Sequence, residues 1–116
     1  DPSCSKVLGA KRAVKEVKKG GYYNATWKLY DEGVGSLCYQ NKWNLFDQQI
    51  ISANLLGKDK KSLKFWKSEV FNRPFLIQQE GKYKGYPLRS FSGRTFQTNG
   101  YSDHLPTLTY FVKKLK

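Results

Sequence analysis

One run of ten residues limits the folds open to this chain: Trp43-Asn44-Leu45-Phe46-Asp47-Gln48-Gln49-Ile50-Ile51-Ser52. Its aromatic and β-branched residues favour an extended strand over a helix. Alternation places Leu45, Asp47 and Gln49 on one face, with Phe46, Gln48 and Ile50 on the other. An acid inside an apolar strand costs free energy unless it has a partner. Asp47 is therefore either on a solvated face or matched to a group elsewhere in the chain.

A second informative stretch lies near the other end. Gly100-Tyr101-Ser102-Asp103-His104-Leu105-Pro106 precedes the β-rich run Thr107-Leu108-Thr109-Tyr110-Phe111-Val112. His104 is the only histidine, and it follows an acid directly. A neutral imidazole can take a proton from water near neutral pH. A carboxylate beside it can orient the ring or bind a hard divalent cation. Taken alone, the Asp-His pair also fits a polar turn before an edge strand.

The pieces between these motifs are short. Asp1-Pro2-Ser3 reads as a helix start, with Val7 and Leu8 facing inward and Gly9 closing the turn. Residues 11–19 read as a solvated basic loop or strand edge rather than a binding site. Asn24 is expected to cap a helix through Ala25, Trp27, Leu29 and Tyr30, which also accounts for the glycosylation-like Asn24-Ala25-Thr26. Ser36 to Gln40 reads as a strand, joined by a turn at Asn41-Lys42 to the run from Trp43 to form a hairpin. Residues 54–62 form a lysine-rich loop and 63–68 a strand, with Pro74 opening a helical turn. Residues 81–94 read as a long surface loop in which Tyr83, Tyr86, Arg89, Phe91 and Arg94 interleave rings with cations. That mixture suits a phosphate-bearing ligand. Residues 107–112 are the last strand, and 113–116 a basic tail.

The chain has 116 residues, enough for one domain or part of one. Asp1 is not a translational start, so the chain is expected to begin after processing or cleavage. Twenty-one Lys and Arg against nine acids give a formal net charge of +12, which favours anionic partners. Cys4 and Cys38 are too few for a disulfide framework and are expected as buried thiols, although one bridge is possible. One histidine excludes the usual zinc spacings. Gly33-Val34-Gly35 lacks the lysine and spacing of a phosphate loop. No apolar run is long enough to cross a bilayer as a helix.

The Ser-Asp-His-x-Pro motif before a final strand resembles the close of an endonuclease/exonuclease/phosphatase domain, the DNase I-like fold. The run around Asp47 resembles that family's penultimate strand, and residues 72–91 resemble a bacterial branch of it. The resemblance implies an α+β chain, the later half of an α/β sandwich, whose strands form one mostly antiparallel sheet. It implies that His104 is the general base or contacts the phosphate, that Asp47 orients the ring, and that Asp103 lies beside a Mg²⁺ or Mn²⁺ ion. Arg89, Arg94 and Tyr86 would hold a phosphate-ester substrate: nucleic acid, phosphorylated small molecule or lipid. In the family, an Asp-Pro pair like Asp1-Pro2 follows a Gly-Asp-x-Asn motif, and a metal-anchoring Glu lies earlier still. Neither is in these residues, so the chain is expected to be inactive alone. It is also expected to pair with a separate first half, or a second copy, through an inner face carrying Leu37, Tyr39, Phe46, Ile50, Phe65 and Leu108. Two other readings of the same residues are a basic, aromatic-rich nucleic-acid-binding module without catalysis, and a structural domain in which Asp47 and His104 lie far apart.

Overall fold

A computed structural model describes residues 2–59 and 61–115. Eight short strands and one helix follow in order: β1 (Tyr22–Asn24), α1 (Thr26–Asp31), β2 (Leu37–Tyr39), β3 (Lys42–Asn44), β4 (Ile50–Ser52), β5 (Lys64–Val70), β6 (Phe91–Ser92), β7 (Thr95–Phe96) and β8 (Thr107–Val112). All strand pairs are antiparallel: β1 with β4, β2 with β3, β5 with β8, and β6 with β7. The α+β class expected from the sequence is present. Its strands form four separate two-stranded ladders rather than one continuous sheet.

The run from Trp43 to Ser52 is not one strand. It pairs with β2 only as far as Asn44, crosses 45–49 without a ladder, and rejoins a different partner, β1, at Ile50. Helix α1 is the cause. It starts beside the gap, and its entry takes up the backbone groups that a neighbouring strand would otherwise bond. Ala25 N–H donates to the Gln49 carbonyl at 3.0 Å, and Gln49 N–H donates to Thr26 Oγ1 at 2.8 Å. Asn24 is 2% exposed and belongs to β1 rather than capping the helix as its first residue. Its Oδ1 accepts the Thr26 N–H at 3.0 Å, and its Nδ2 donates to Gln48 Oε1 at 2.9 Å. Both side-chain groups are thus engaged at a site closed to a glycan.

The β2–β3 turn falls at Gln40-Asn41, one residue earlier than expected, with φ of 50° and 63°. Two positive φ values are the signature of the tight turn whose twist matches a hairpin. Among the first residues, a single π-turn (Ser3–Val7) replaces the expected amphipathic helix. Val7 is 85% exposed and Leu8 is also exposed, so neither faces inward. One turn cannot bury an apolar face. The expected cap at Asp1 lies outside the described residues. Cys4 and Cys38 are both free thiols, Cys38 buried and Cys4 partly so.

The core is thin. Tyr23, Ala25 and Ile51 form its centre, flanked by Val17, Leu55, Leu56 and Phe65. The Tyr23 and Phe65 rings meet edge-on at 5.6 Å, and Phe65 meets Phe111 at 6.5 Å, tying β1–β4 to β5–β8. Of the side chains expected on one inner face, Tyr39 and Phe46 are about two-thirds exposed. The molecule measures 48 × 38 × 23 Å with a radius of gyration of 17.1 Å, where a compact chain of this length would have about 13 Å. Its accessible surface is 8757 Å², against roughly 6,500 Å² for a compact protein of this size. The chain is a thin plate with about 2,000 Å² more surface than its length requires.

Candidate functional site

Asp47 and His104, 57 residues apart, meet at one point. His104 Nδ1 lies 2.8 Å from Asp47 Oδ2. The two side chains are about one-third exposed, so the pair is sheltered yet reachable from solvent. Asp47 stands in the unpaired stretch 45–49, on the half-buried side with Leu45 and Gln49. The alternation read from the sequence therefore survives although the ladder does not. Its position is set by the next two residues, Gln48 and Gln49, which are bonded to Asn24, Ala25 and Thr26.

His104 is fixed from three sides. Its backbone bridges to Leu37 of β2. The next residue, Leu105, is 3% exposed and donates its N–H to the Ser36 carbonyl at 2.7 Å. The His104 N–H donates to Ser102 Oγ at 3.0 Å, which tightens the turn before the bridge. Pro106 then passes its carbonyl to the Phe71 N–H at 2.7 Å, and β8 begins.

A third side chain completes the pair. Ser36 is 0% exposed, and its hydroxyl donates to Asp47 Oδ2, the oxygen that faces the imidazole. Its backbone is used in full as well, since its N–H donates to the Asn44 carbonyl at 2.8 Å while its own carbonyl holds Leu105. Sequence reading passed over Ser36 because a serine beside Gly35 before a strand matches no motif. An ionised carboxylate only accepts hydrogen bonds. With the ionised Asp47 accepting from both sides, His104 donates from Nδ1 and turns Nε2 away from Asp47.

The other expected site residues scatter. Asp103 is exposed beside His104, and its carboxylate makes no hydrogen bond or ion pair among the described residues. Tyr86 is buried at 8% exposure. Its hydroxyl accepts the Asn41 N–H at 2.6 Å and donates to Asn41 Oδ1 at 3.0 Å, clamping the β2–β3 turn. Arg89 is half-buried with its guanidinium 5.6 Å from the Tyr83 ring. Arg94 is exposed in the turn of the β6–β7 hairpin, whose first strand and turn lie in the stretch 81–94 expected to be a long surface loop. Among the described residues no three His, Cys, Asp or Glu side chains converge as a metal site would require. Asp103 offers one carboxylate at the rim, so these residues do not make a complete divalent-cation site by themselves.

The arrangement is an imidazole hydrogen-bonded to a half-buried carboxylate that also accepts from a buried hydroxyl, at the end of antiparallel ladders. The chain belongs to the endonuclease/exonuclease/phosphatase family, whose sequence profile matches residues 1–113. That family consists of phosphoric ester hydrolases. No curated protein and no solved structure matches the chain. Among the described residues no helix is long and apolar enough to cross a membrane.

Proposed function

We propose that this chain carries the proton-handling half of a divalent-metal-dependent phosphodiester-cleaving site. The observation behind this reading is the Ser36–Asp47–His104 relay, with His104 Nδ1 at 2.8 Å from the carboxylate. In this reading His104 Nε2 takes a proton from the attacking water or contacts the phosphoryl oxygen. Asp47 holds the ring in that tautomer and stabilises the imidazolium as it forms. Ser36 keeps the carboxylate from turning away. A divalent ion held partly by Asp103 would neutralise charge on the phosphate oxygens.

The metal-anchoring Glu and the Gly-Asp-x-Asn motif that the family resemblance calls for are not found in these 116 residues. A second segment supplies them. The surplus surface of the plate, about 2,000 Å², is the scale that a lasting interface covers. A separate first half would seat there and bring those residues; a second copy would cover the same surface without supplying them.

The test is hydrolysis of a generic phosphodiester with Mg²⁺. Alone, the chain should give no turnover above its His104→Ala variant. Joined to a segment with the missing Glu and Gly-Asp-x-Asn, it should turn over, and His104→Ala should reduce the rate by about 100-fold or more. Equal rates for the parent and the variant in the joined form would remove the dyad from the mechanism.

A further inference from the structure

Two separate pairs of exposed rings flank the backbone neck before His104, one on the β6–β7 hairpin and one at Tyr101 and Phe75. Phe91 and Phe96 are cross-strand partners on β6–β7, with ring centroids 5.4 Å apart, and are 52% and 60% exposed. Phe75 and Tyr101 are 57% and 58% exposed, with centroids 6.0 Å apart and planes at 80°. More than half of each of these residues is exposed, which leaves ring surface open to a ligand. Tyr101 stands three residues before His104, and its N–H donates to the Leu88 carbonyl at 2.7 Å. Gln97 N–H donates to the Ser90 carbonyl at 2.7 Å. The hairpin and the segment entering the site are therefore joined at one neck.

The charge of this region points to an anion. Residues 71–100 hold Arg73, Lys82, Lys84, Arg89 and Arg94 against one acid, Glu80. None of these cations is in an ion pair among the described residues. Arg73 instead lies 4.3 Å over the Phe71 ring, beside Phe75.

We propose that Phe75, Tyr101, Phe91 and Phe96, with Arg73 and Arg94, form a platform for single-stranded nucleic acid. Bases stack on the rings while the arginines meet the phosphates. The strand runs past Tyr101 toward His104, so the proposal rests on the phosphodiester reading of that site and names its substrate class. A bilayer is a poorer fit. The outermost residues of the hairpin are Ser92, Gly93 and Arg94, with the rings set back on its stem. An inserting loop would carry its apolar side chains at the tip. Duplex DNA keeps its base faces covered and would gain only the charge contacts.

The test is fluorescence anisotropy with a labelled 12-nucleotide single strand, the matching duplex, and phosphatidylserine vesicles, all without divalent metal so that nothing is cleaved. The expected result is at least about fivefold tighter binding of the single strand than of the duplex. Phe91→Ala with Phe96→Ala should weaken the single-strand complex by at least about tenfold. These rings are exposed, so the variant should keep the parent circular dichroism. Arg94→Ala should reduce the salt dependence by about one counterion. Equal affinity for the two nucleic acids, no effect of removing the rings, or binding to vesicles alone would each overturn the platform. If the joined form cleaves nothing but strand binding stands, the hydrolase reading falls and the platform remains.

Discussion

Ser36 provides the sharpest test of how the site is built. Its hydroxyl is fully buried and donates to Asp47 Oδ2. A hydrogen bond to a charged acceptor contributes about 1.5–3 kcal/mol. Asp47 is one-third exposed, so solvent screens part of this, and about 1.5 kcal/mol is expected for Ser36→Ala. Asp47→Ala should cost more, about 2–3 kcal/mol, because the Ser36 donor is then buried without an acceptor. Once Ser36 is already alanine, that penalty vanishes. The double variant should therefore be about 1–2 kcal/mol more stable than the sum of the singles implies. Urea unfolding followed by circular dichroism, at one fixed protein concentration, would read this as midpoint shifts of roughly 0.5–1.5 M for the single variants. Imidazole nitrogen shifts should show Nδ1 protonated in the parent and mixed tautomers in Asp47→Ala. A coupling below about 0.5 kcal/mol, the scatter of unrelated sites, together with unchanged tautomers, would refute the relay.

Three further outcomes are expected. Sedimentation should show the chain associating, with itself or with a first-half segment, whereas a lasting monomer of 13.4 kDa would count against the covered face. The Tyr110 hydroxyl donates to Glu69 Oε1 at 2.6 Å, which favours the neutral phenol and raises its pKa. Stability from this bond is complete below the ordinary phenol range and is lost as pH rises through the raised value. Glu69→Gln should move one tyrosinate transition to lower pH in ultraviolet difference titration, and an unmoved curve would deny the bond. Gly100→Ala should cost about 2–3 kcal/mol in urea melts, because an added methyl would run into the Arg89 carbonyl.

The residues alone marked two unusual positions, a single histidine between an acid and a Pro-led strand and an acid in an apolar run. Their pairing was implied by the family resemblance, and the two side chains do meet. Strand β8 was legible to its exact ends, since six β-favouring residues follow a proline and precede lysines. The gap at 45–49 was not legible. An extended chain without a ladder keeps the same two-residue alternation as a strand, so hydrophobic pattern cannot tell them apart. The tertiary contacts that decide it come from Asn24 and Thr26, more than twenty residues away. Tyr86 was read as a ligand contact because its neighbours are cations and glycines, yet its hydroxyl found the Asn41 turn first. The β6–β7 hairpin had a signal in Ser92-Gly93 between aromatic and β-branched residues, and a turn reading of that dipeptide would have found it.

The neck that joins Leu88 to Tyr101 has a consequence for how such a protein can change. Residues 89–100 leave the body and return to it at one point, closed by a backbone bond and by Gly100 against Arg89. The Ser36–Asp47–His104 relay draws none of its hydrogen bonds from inside that excursion. The excursion can thus be lengthened, shortened or repainted while the proton relay stays where it is. The hairpin and the hydrogen-bonded dyad are thus separable parts of one chain, divided at a single glycine.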